Sequence, residues 1–551
     1  MAKPKKQKNE EQKAVGASNS SSTGTSYALV LHQKLCLAID MDNQRIYGHT
    51  ELKVAVPESG IIGLYANGMN IDNIIVNGLP VHFTLRPQHE GLKDERKWSS
   101  ITCIDAAEAA GSVYFSSLER EMVPDLLIFC FKPISSESGI QNLVDTEKFE
   151  KIDCNPDNAN NSAQQENFKL VRVEYWLEKP KAGVHFMGST LHTNNQIRRA
   201  RCWFPCVDCS LQRCCYDLEF TVDSKYVAVS NGTLLYQVIG KDDPRCKTYV
   251  YCVNIPVNAR FITLAVAPFE VHPDRHNVTI SHMSMPSSLS KLQCTVSFFH
   301  NVFSYYEEYL EAPFPFGSYK QVFIDSETAL SSSYVGASMS TFSSHLLFDD
   351  RVIDQVISTR IKLAHALAQQ WFGIFITPET ATDGWLLDGL AGFLTDIFIK
   401  RYLGNNEARY RRYKANEEVC KVDVEGATAL CSSAAAAELY ETHAIGVLRK
   451  LRSWKAVAVL QMLEKQMGPE PFRKLIRPRL TCLQNMETYN WYMIFLTKCL
   501  LSDAASWSAV ITGYPEIEDV DVFQCIASLK CAEEDNTSFL KMHSFGLVGM
   551  P

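Results

Sequence analysis

The spacing of apolar residues changes near Pro273, and that change limits the fold more than any other feature of this sequence. Before it come short runs at 35–39, 46–56, 71–76, 216–222, 247–255 and 261–266. They are rich in β-branched and aromatic residues and are separated by Gly, Asn, Asp and Pro, the pattern of strands and turns. After it, apolar residues recur at helical spacing over 289–310, 352–372, 387–403, 405–420 and 454–467, with one strand-like piece at 319–324. Strands first and helices afterwards predict an α+β multidomain chain: an antiparallel β saddle or sandwich followed by a mostly helical domain.

The boundaries follow from composition. Residues 1–26 are a polar tail, Lys-rich and then Ser/Thr-rich, with no apolar period, and are expected to be disordered. Its opening, Lys3-Pro4-Lys5-Lys6-Gln7-Lys8, suits a nuclear address as well as a solvated tail. Residues 27–272 form the β domain, interrupted by a polar surface insertion at 135–167, and 273–475 form the helical domain. The formal net charge of −8 over 551 residues excludes a generally basic nucleic-acid coat, so any DNA contact must use a local patch. No run of 18 apolar residues occurs, which predicts no membrane helix. Eighteen cysteines, two of them adjacent at Cys214 and Cys215, show no disulfide framework and suit reduced thiols. The sequons at Asn231 and Asn277 carry little weight without a secretory route.

The most informative window is His365-Ala366-Leu367-Ala368-Gln369-Gln370-Trp371-Phe372-Gly373. On a helix, positions 365 and 369 face the same way one turn apart. In H-E-x-x-H that geometry places two imidazoles on one zinc, with the Glu beside it as general base. Taken alone, a single His on such a helix is more often a packed or surface histidine than a ligand.

The flanking sequence adds a resemblance. The window resembles H-E-L-A-H-Q-W-F-G of the alanyl-aminopeptidase-like zinc metallopeptidases. Eighteen residues separate Gln369 from Asp388, the interval at which that family places its third ligand, a Glu, and Trp385-Leu386-Leu387-Asp388-Gly389-Leu390-Ala391 is similar to its W-L-N-E-G-F-A. Ala200-Arg201-Cys202-Trp203-Phe204-Pro205-Cys206-Val207-Asp208 resembles A-R-x-x-F-P-C-F-D, and Ser230-Asn231-Gly232 resembles S-N-G. The stretch from Pro313 to Lys320 resembles the strand entry Y-P-x-P-K-x, and Lys455 to Leu463 resembles K-G-A-x-V-L-R-M-L. The anchors fall in the family's order between about 27 and 474 and imply a thermolysin-like domain after the β saddle.

What departs from the pattern is the chemistry. Catalytic zinc takes three deprotonated protein ligands and a water. Gln369 offers a neutral amide oxygen, Asp388 is one methylene shorter than Glu, and Ala366 supplies no base. Loss of general-base catalysis alone costs about 10²–10⁴ in rate. The resemblance puts the family's transition-state Tyr at Ser453 and its amine-binding G-A-M-E-N loop near 329–335, where no acidic residue lies. His365, Ala366, Gln369, Asp388 and Ser453 thus read as a vestigial site with no catalytic residue, metal or other cofactor.

Two other clusters stand out. Cys202, Cys206, Cys209, Cys214 and Cys215 include one C-x-x-C, but without finger spacing or a following His they read as buried thiols. Lys400 to Lys414 is basic with aromatics interleaved, which makes Arg409, Arg411, Arg412 and Lys414 weak DNA-contact candidates against the plainer reading of a solvated helix face. Gly389-Leu390-Ala391-Gly392 is not a phosphate loop, since no Gly-Lys-Ser/Thr follows.

Residues 331–347 and 377–393 look closely like the catalytically silent branch of this family found among the TBP-associated factors. That likeness implies a nuclear, non-enzymatic subunit of the general transcription factor TFIID in preinitiation-complex assembly. Its expected partners are TBP, the other TBP-associated factors and core-promoter DNA, with no membrane and no small-molecule substrate. The competing expectations are a zinc aminopeptidase with an unusual ligand set and a peptide-binding module using the dead cleft. Residues 476–551 resemble nothing identified, and chains of this branch run much longer, so the sequence reads as a shortened form.

Overall fold

A computed structural model describes residues 28–477 apart from 58, 87–122, 131–167, 197, 210–211, 241–242, 326–332, 350, 379–383, 423–429 and 431–445. The expected tail, the surface insertion and the segment after 477 lie outside the described residues.

An eight-stranded sheet dominates the first half. Its order is Thr233–Ile239, Cys246–Val257, Cys214–Asp223, Leu29–Asp40, Arg45–Ala55, Phe168–Glu178, Asn70–Val76 and Leu79–Pro80. Strict alternation builds its inner face: Leu35, Leu37 and Ile39 point inward from one strand, and Tyr216, Leu218, Phe220 and Val222 from its neighbour. A strand has a side-chain period of two, so such a pattern buries one face and leaves the other wet. The outer face is laced with ion pairs, His32 with Asp217 and Lys34 with Glu219. The sheet departs from the antiparallel expectation at one place, where Leu29–Asp40 and Cys214–Asp223 run parallel. The chain between them is long enough to cross over, as parallel neighbours require.

A five-stranded sheet follows, ordered Glu270–Pro273, Ile280–Ser284, Tyr319–Ile324, Met339–Ser343 and Ser333–Gly336. Among the described residues the α-helices are α1 (Leu289–Val296), α2 (Phe299–Leu310), α3 (Ile353–Trp371), α4 (Gly384–Tyr402), α5 (Asn405–Val422), α6 (Gly446–Met467) and α7 (Pro469–Ile476). The single helix expected over 289–310 is two, because the Ser297 hydroxyl bonds back to the Cys294 carbonyl and loosens the backbone there. The strand expected over 261–266 begins only at Leu264, after a tight turn at Ala259–Phe261 whose last carbonyl accepts from the Ala337 amide.

The motif Ser230-Asn231-Gly232 joins the two sheets. The Asn231 amide nitrogen donates to the carbonyls of Phe261 (3.1 Å) and Ala337 (2.5 Å), and its oxygen accepts from the Thr263 amide. Gly232 sits at φ +74°, and a Cβ there would lie 2.1 Å from the Cys252 carbonyl oxygen, so only glycine fits.

Beside this junction Lys320 is fully buried. Its Nζ donates to the Gly232 carbonyl and to Ser318 Oγ and lies 5.0 Å from the Tyr251 ring, with no carboxylate in ion-pair range among the described residues. Burial brings its pKa down to about 7. The folded state therefore holds fewer protons than the unfolded chain between that value and the ordinary lysine range, and this group adds stability as pH rises through the window. Melting temperature should rise between about pH 6.5 and 8.5, and Lys320→Met should flatten that rise. An unchanged pH slope in the variant would show that the amine stays charged in the fold.

Candidate functional site

The site is a packing of α4 between α3 and α6. Ala366 and Trp371 on α3 are buried, while His365 and Gln369 are half-buried. His365 Nδ1 lies 3.0 Å from Thr395 Oγ1 on α4, and that hydroxyl donates its own proton to the Ala391 carbonyl at 2.8 Å. The threonine oxygen is therefore the acceptor for His365, which puts the imidazole proton on Nδ1. Zinc-binding histidines are held in the same tautomer, usually by a carboxylate or a carbonyl.

The rest of the donor set does not fit zinc. Asp388 is half-buried on α4 and Ser453 half-buried on α6. Ala366 presents a methyl group, and Gln369 an amide that cannot lose its proton to become a good zinc donor. Among the described residues no three His, Cys, Asp or Glu side chains come together as a metal-holding group. Restoring the missing base alone, Ala366→Glu, should give no zinc-dependent release of an amino-acid anilide. It should also lower the melting temperature, because a carboxylate would be placed in a buried position. Chelator-sensitive turnover in that single variant would show that His365, Gln369 and Asp388 suffice for zinc.

Glycine serves packing here. A Cβ on Gly389 would lie 2.9 Å from Leu460 and 3.0 Å from Ala456, and one on Gly392 would lie 2.4 Å from Val457, so α4 and α6 are pressed together along these two positions. The helix context agrees with the sequence argument against a phosphate loop.

Three polar residues matter that sequence reasoning did not single out. Thr395 has just been described. Gln370 is wholly buried: its Oε1 accepts from the Ser338 amide (2.7 Å) and its Nε2 donates to the Gly336 carbonyl (2.9 Å). It ties α3 to the turn that Asn231 grips from the other side. The only sequence signal was a polar residue on an otherwise apolar helix face. Asp396 on α4 accepts from Arg412 and, at 2.7 Å, from Gln461 on α6. Burial pushes its carboxyl up and those two partners pull it back.

That contact gives Arg412 a structural task, since it also donates to the Trp454 carbonyl at 3.3 Å. Arg411 pairs with Glu407 at 2.6 Å and Lys414 with Glu417 at 3.0 Å. Arg409 is exposed with no ion pair among the described residues, and Tyr410 and Tyr413 are exposed beside it. Three members of the cysteine cluster, Cys202, Cys206 and Cys214, are buried free thiols, whereas Cys209 and Cys215, expected to be buried with them, are half-buried. Burial pushes Cys202 up to about 11 and Cys214 up to about 12, the direction that keeps a thiol inert.

The comparisons with known proteins bear on this geometry. A family model described as the peptidase family M1 domain matches residues 295–501, running past residue 474, where the sequence resemblance ends. Transcription initiation factor TFIID subunit 2 of Danio rerio is 40% identical over 260 residues, 45% of this chain and 22% of that protein. Its Drosophila melanogaster counterpart is 41% identical over 252 residues, 43% of this chain and 20% of that one. Over these residues the chain is similar to TFIID subunit 2. It spans about a fifth of the length of these relatives. Human glutamyl aminopeptidase is 22% identical over 417 residues, 72% of this chain and 42% of that enzyme. The solved structure of yeast leukotriene A4 hydrolase with bestatin superposes with a TM-score of 0.60 at 14% identity, covering 88% of this chain and 67% of the hydrolase. At that identity the superposition speaks for the fold alone: an N-terminal β-rich part followed by a helical one.

Proposed function

We propose that this chain is a non-enzymatic subunit of the general transcription factor TFIID, acting in the nucleus in preinitiation-complex assembly and core-promoter recognition. The observation that carries this reading is the identity of about 40% to TFIID subunit 2 over some 250 residues, against 22% to human glutamyl aminopeptidase. The site supports it. Replacement of the base by Ala366, of an imidazole by Gln369 and of the oxyanion donor by Ser453 removes peptidase chemistry while the packing of α3, α4 and α6 is kept. In this reading residues 27–272 and 273–475 are its two structural domains, and its partners are TBP, other TBP-associated factors and promoter DNA. Arg409 and Lys414, flanking the exposed Tyr410 and Tyr413, are the most accessible of the four basic candidates for a phosphate contact.

The test is affinity purification of the tagged full chain from nuclear extract, with identification of the co-purifying proteins. Recovery of TBP and TBP-associated factors supports the reading. Their absence, together with stoichiometric zinc and chelator-sensitive anilide hydrolysis, would establish the aminopeptidase alternative instead.

A further inference from the structure

One buried carboxylate outside the vestigial site is shared by two imidazoles. Asp274 sits in the turn between Glu270–Pro273 and Ile280–Ser284, where its Oδ1 accepts from the amides of His276 (2.8 Å) and Asn277 (3.2 Å). Its Oδ2 lies 3.7 Å from His282 Nε2 and 3.9 Å from His300 Nδ1 on α2. The Asp274 and His282 side chains are 7% and 3% exposed. On its other side the His282 ring meets Gln321 of Tyr319–Ile324, with Nδ1 2.9 Å from Oε1. An amide oxygen only accepts, so Nδ1 carries hydrogen, and Nε2 of the neutral ring turns a lone pair toward the carboxylate. That nitrogen has no hydrogen-bond partner among the described residues. A lone pair buried against an anion is unfavourable, and one added proton turns the same approach into a charge-assisted hydrogen bond.

We propose that a proton taken up by His282 latches this hairpin to Tyr319–Ile324 and α2, through a hydrogen-bonded ion pair with Asp274. A metal ion would be the other way to join these donors, but no three such side chains come together as a metal-holding group among the described residues. The surrounding groups leave the task to His282. His272, opposite it in the ladder, lies 3.5 Å from Glu270, and Lys320 on the next strand turns to the Gly232 carbonyl. His276 stacks on His300 at 4.2 Å, Arg275 is exposed, and the Phe299 ring stands nearly perpendicular to His282 at 6.0 Å. Burial opposes the charge of Asp274, yet His282 and the two amides more than offset it and bring its carboxyl down to about 2. The carboxylate is therefore ionised wherever histidines titrate, and the latch responds to the imidazole. A histidine that gains a partner by taking up a proton adds stability at low pH and loses it as pH rises through the histidine range. This inference stands on the corner around Asp274 and does not depend on the TFIID reading.

Melting curves of the full chain, wild type against His282→Gln, test it. The wild type should melt several degrees above the variant at about pH 5.5, and the gap should close by about pH 8.5. The contribution of Lys320 cancels, because both chains carry it. Asp274→Asn keeps the acceptor for the two amides and should abolish the pH-dependent gap, while His300→Gln should retain most of it. Hydrogen exchange of residues 270–284, corrected for intrinsic rate, gives a local readout that needs no substitution at 282. Protection should fall as pH rises in the wild type and stay level in Asp274→Asn. A gap that is constant with pH, as it would be if the Gln321 amide were turned around and His282 stayed neutral, overturns the proposal. So does pH dependence that survives Asp274→Asn or disappears in His300→Gln.

Discussion

Trp371→Ala is expected to cost about 3–5 kcal/mol and to deplete soluble protein, while His365→Ala should fold and melt close to wild type. Trp371 is 1% exposed, and its ring meets Phe314 at 5.4 Å and Phe303 and Tyr306 at 6.4 Å. Removing the indole opens a cavity where α2, α3 and the stretch leading into Tyr319–Ile324 converge, and aromatic rings cannot relax far enough to refill it. His365 is half-buried and exchanges a hydrogen bond with a threonine that keeps a second partner, so its loss strands little. Chemical denaturation of both variants ranks them. If His365 proved the critical residue and Trp371 the dispensable one, the proposal that this position no longer serves a metal would fall.

Asp208→Ala should be comparably damaging, at about 3–5 kcal/mol, for an electrostatic reason. Arg201 is buried, with Nε 3.1 Å from Asp208 Oδ2 and its guanidinium 3.9 Å from the centre of the Tyr65 ring. Burial opposes the arginine's charge, and the Asp208 carboxylate together with Tyr65 and Cys206 more than offsets it, so the arginine's pKa stands above its ordinary value. Without the carboxylate a buried arginine that cannot shed its proton loses the ion-pair partner at its Nε. The double replacement Arg201→Met with Asp208→Leu should melt above Asp208→Ala, since it removes both charges together. Equal melting temperatures would mean that the loss lies in loop geometry and not in the stranded charge.

Period and composition make most of the architecture legible. Alternation in Leu29–Asp40 and Cys214–Asp223 names the strands, and the apolar stripe of α3 names the helix. What no local pattern carries is which distant segments meet. Nothing in either strand announces that they lie side by side and parallel, because pairing direction is settled by the connection between them. The positions proposed as vestigial are named by the resemblance and their spacing. Thr395 is not, because a threonine on a helix face is ordinary until an imidazole is seen opposite it. Arg201 and Asp208 are visible as letters of a motif, but their pairing depends on the chain doubling back through Pro205.

Helix α4 also limits what any attempt at revival must do. Gly389 and Gly392 set α4 against α6 with no slack, and Asp388 immediately precedes the first of these contacts. A carboxylate one methylene short is sometimes rescued by a helix that slides or tilts toward its target. This helix has no such travel, since moving toward α6 meets Val457 and moving away opens a gap along Leu460 and Ala456. Directed evolution toward a metal-binding variant should therefore select longer side chains at 388 and 369 from the start. Mutations that bend or shift the scaffold should be missing from its winners.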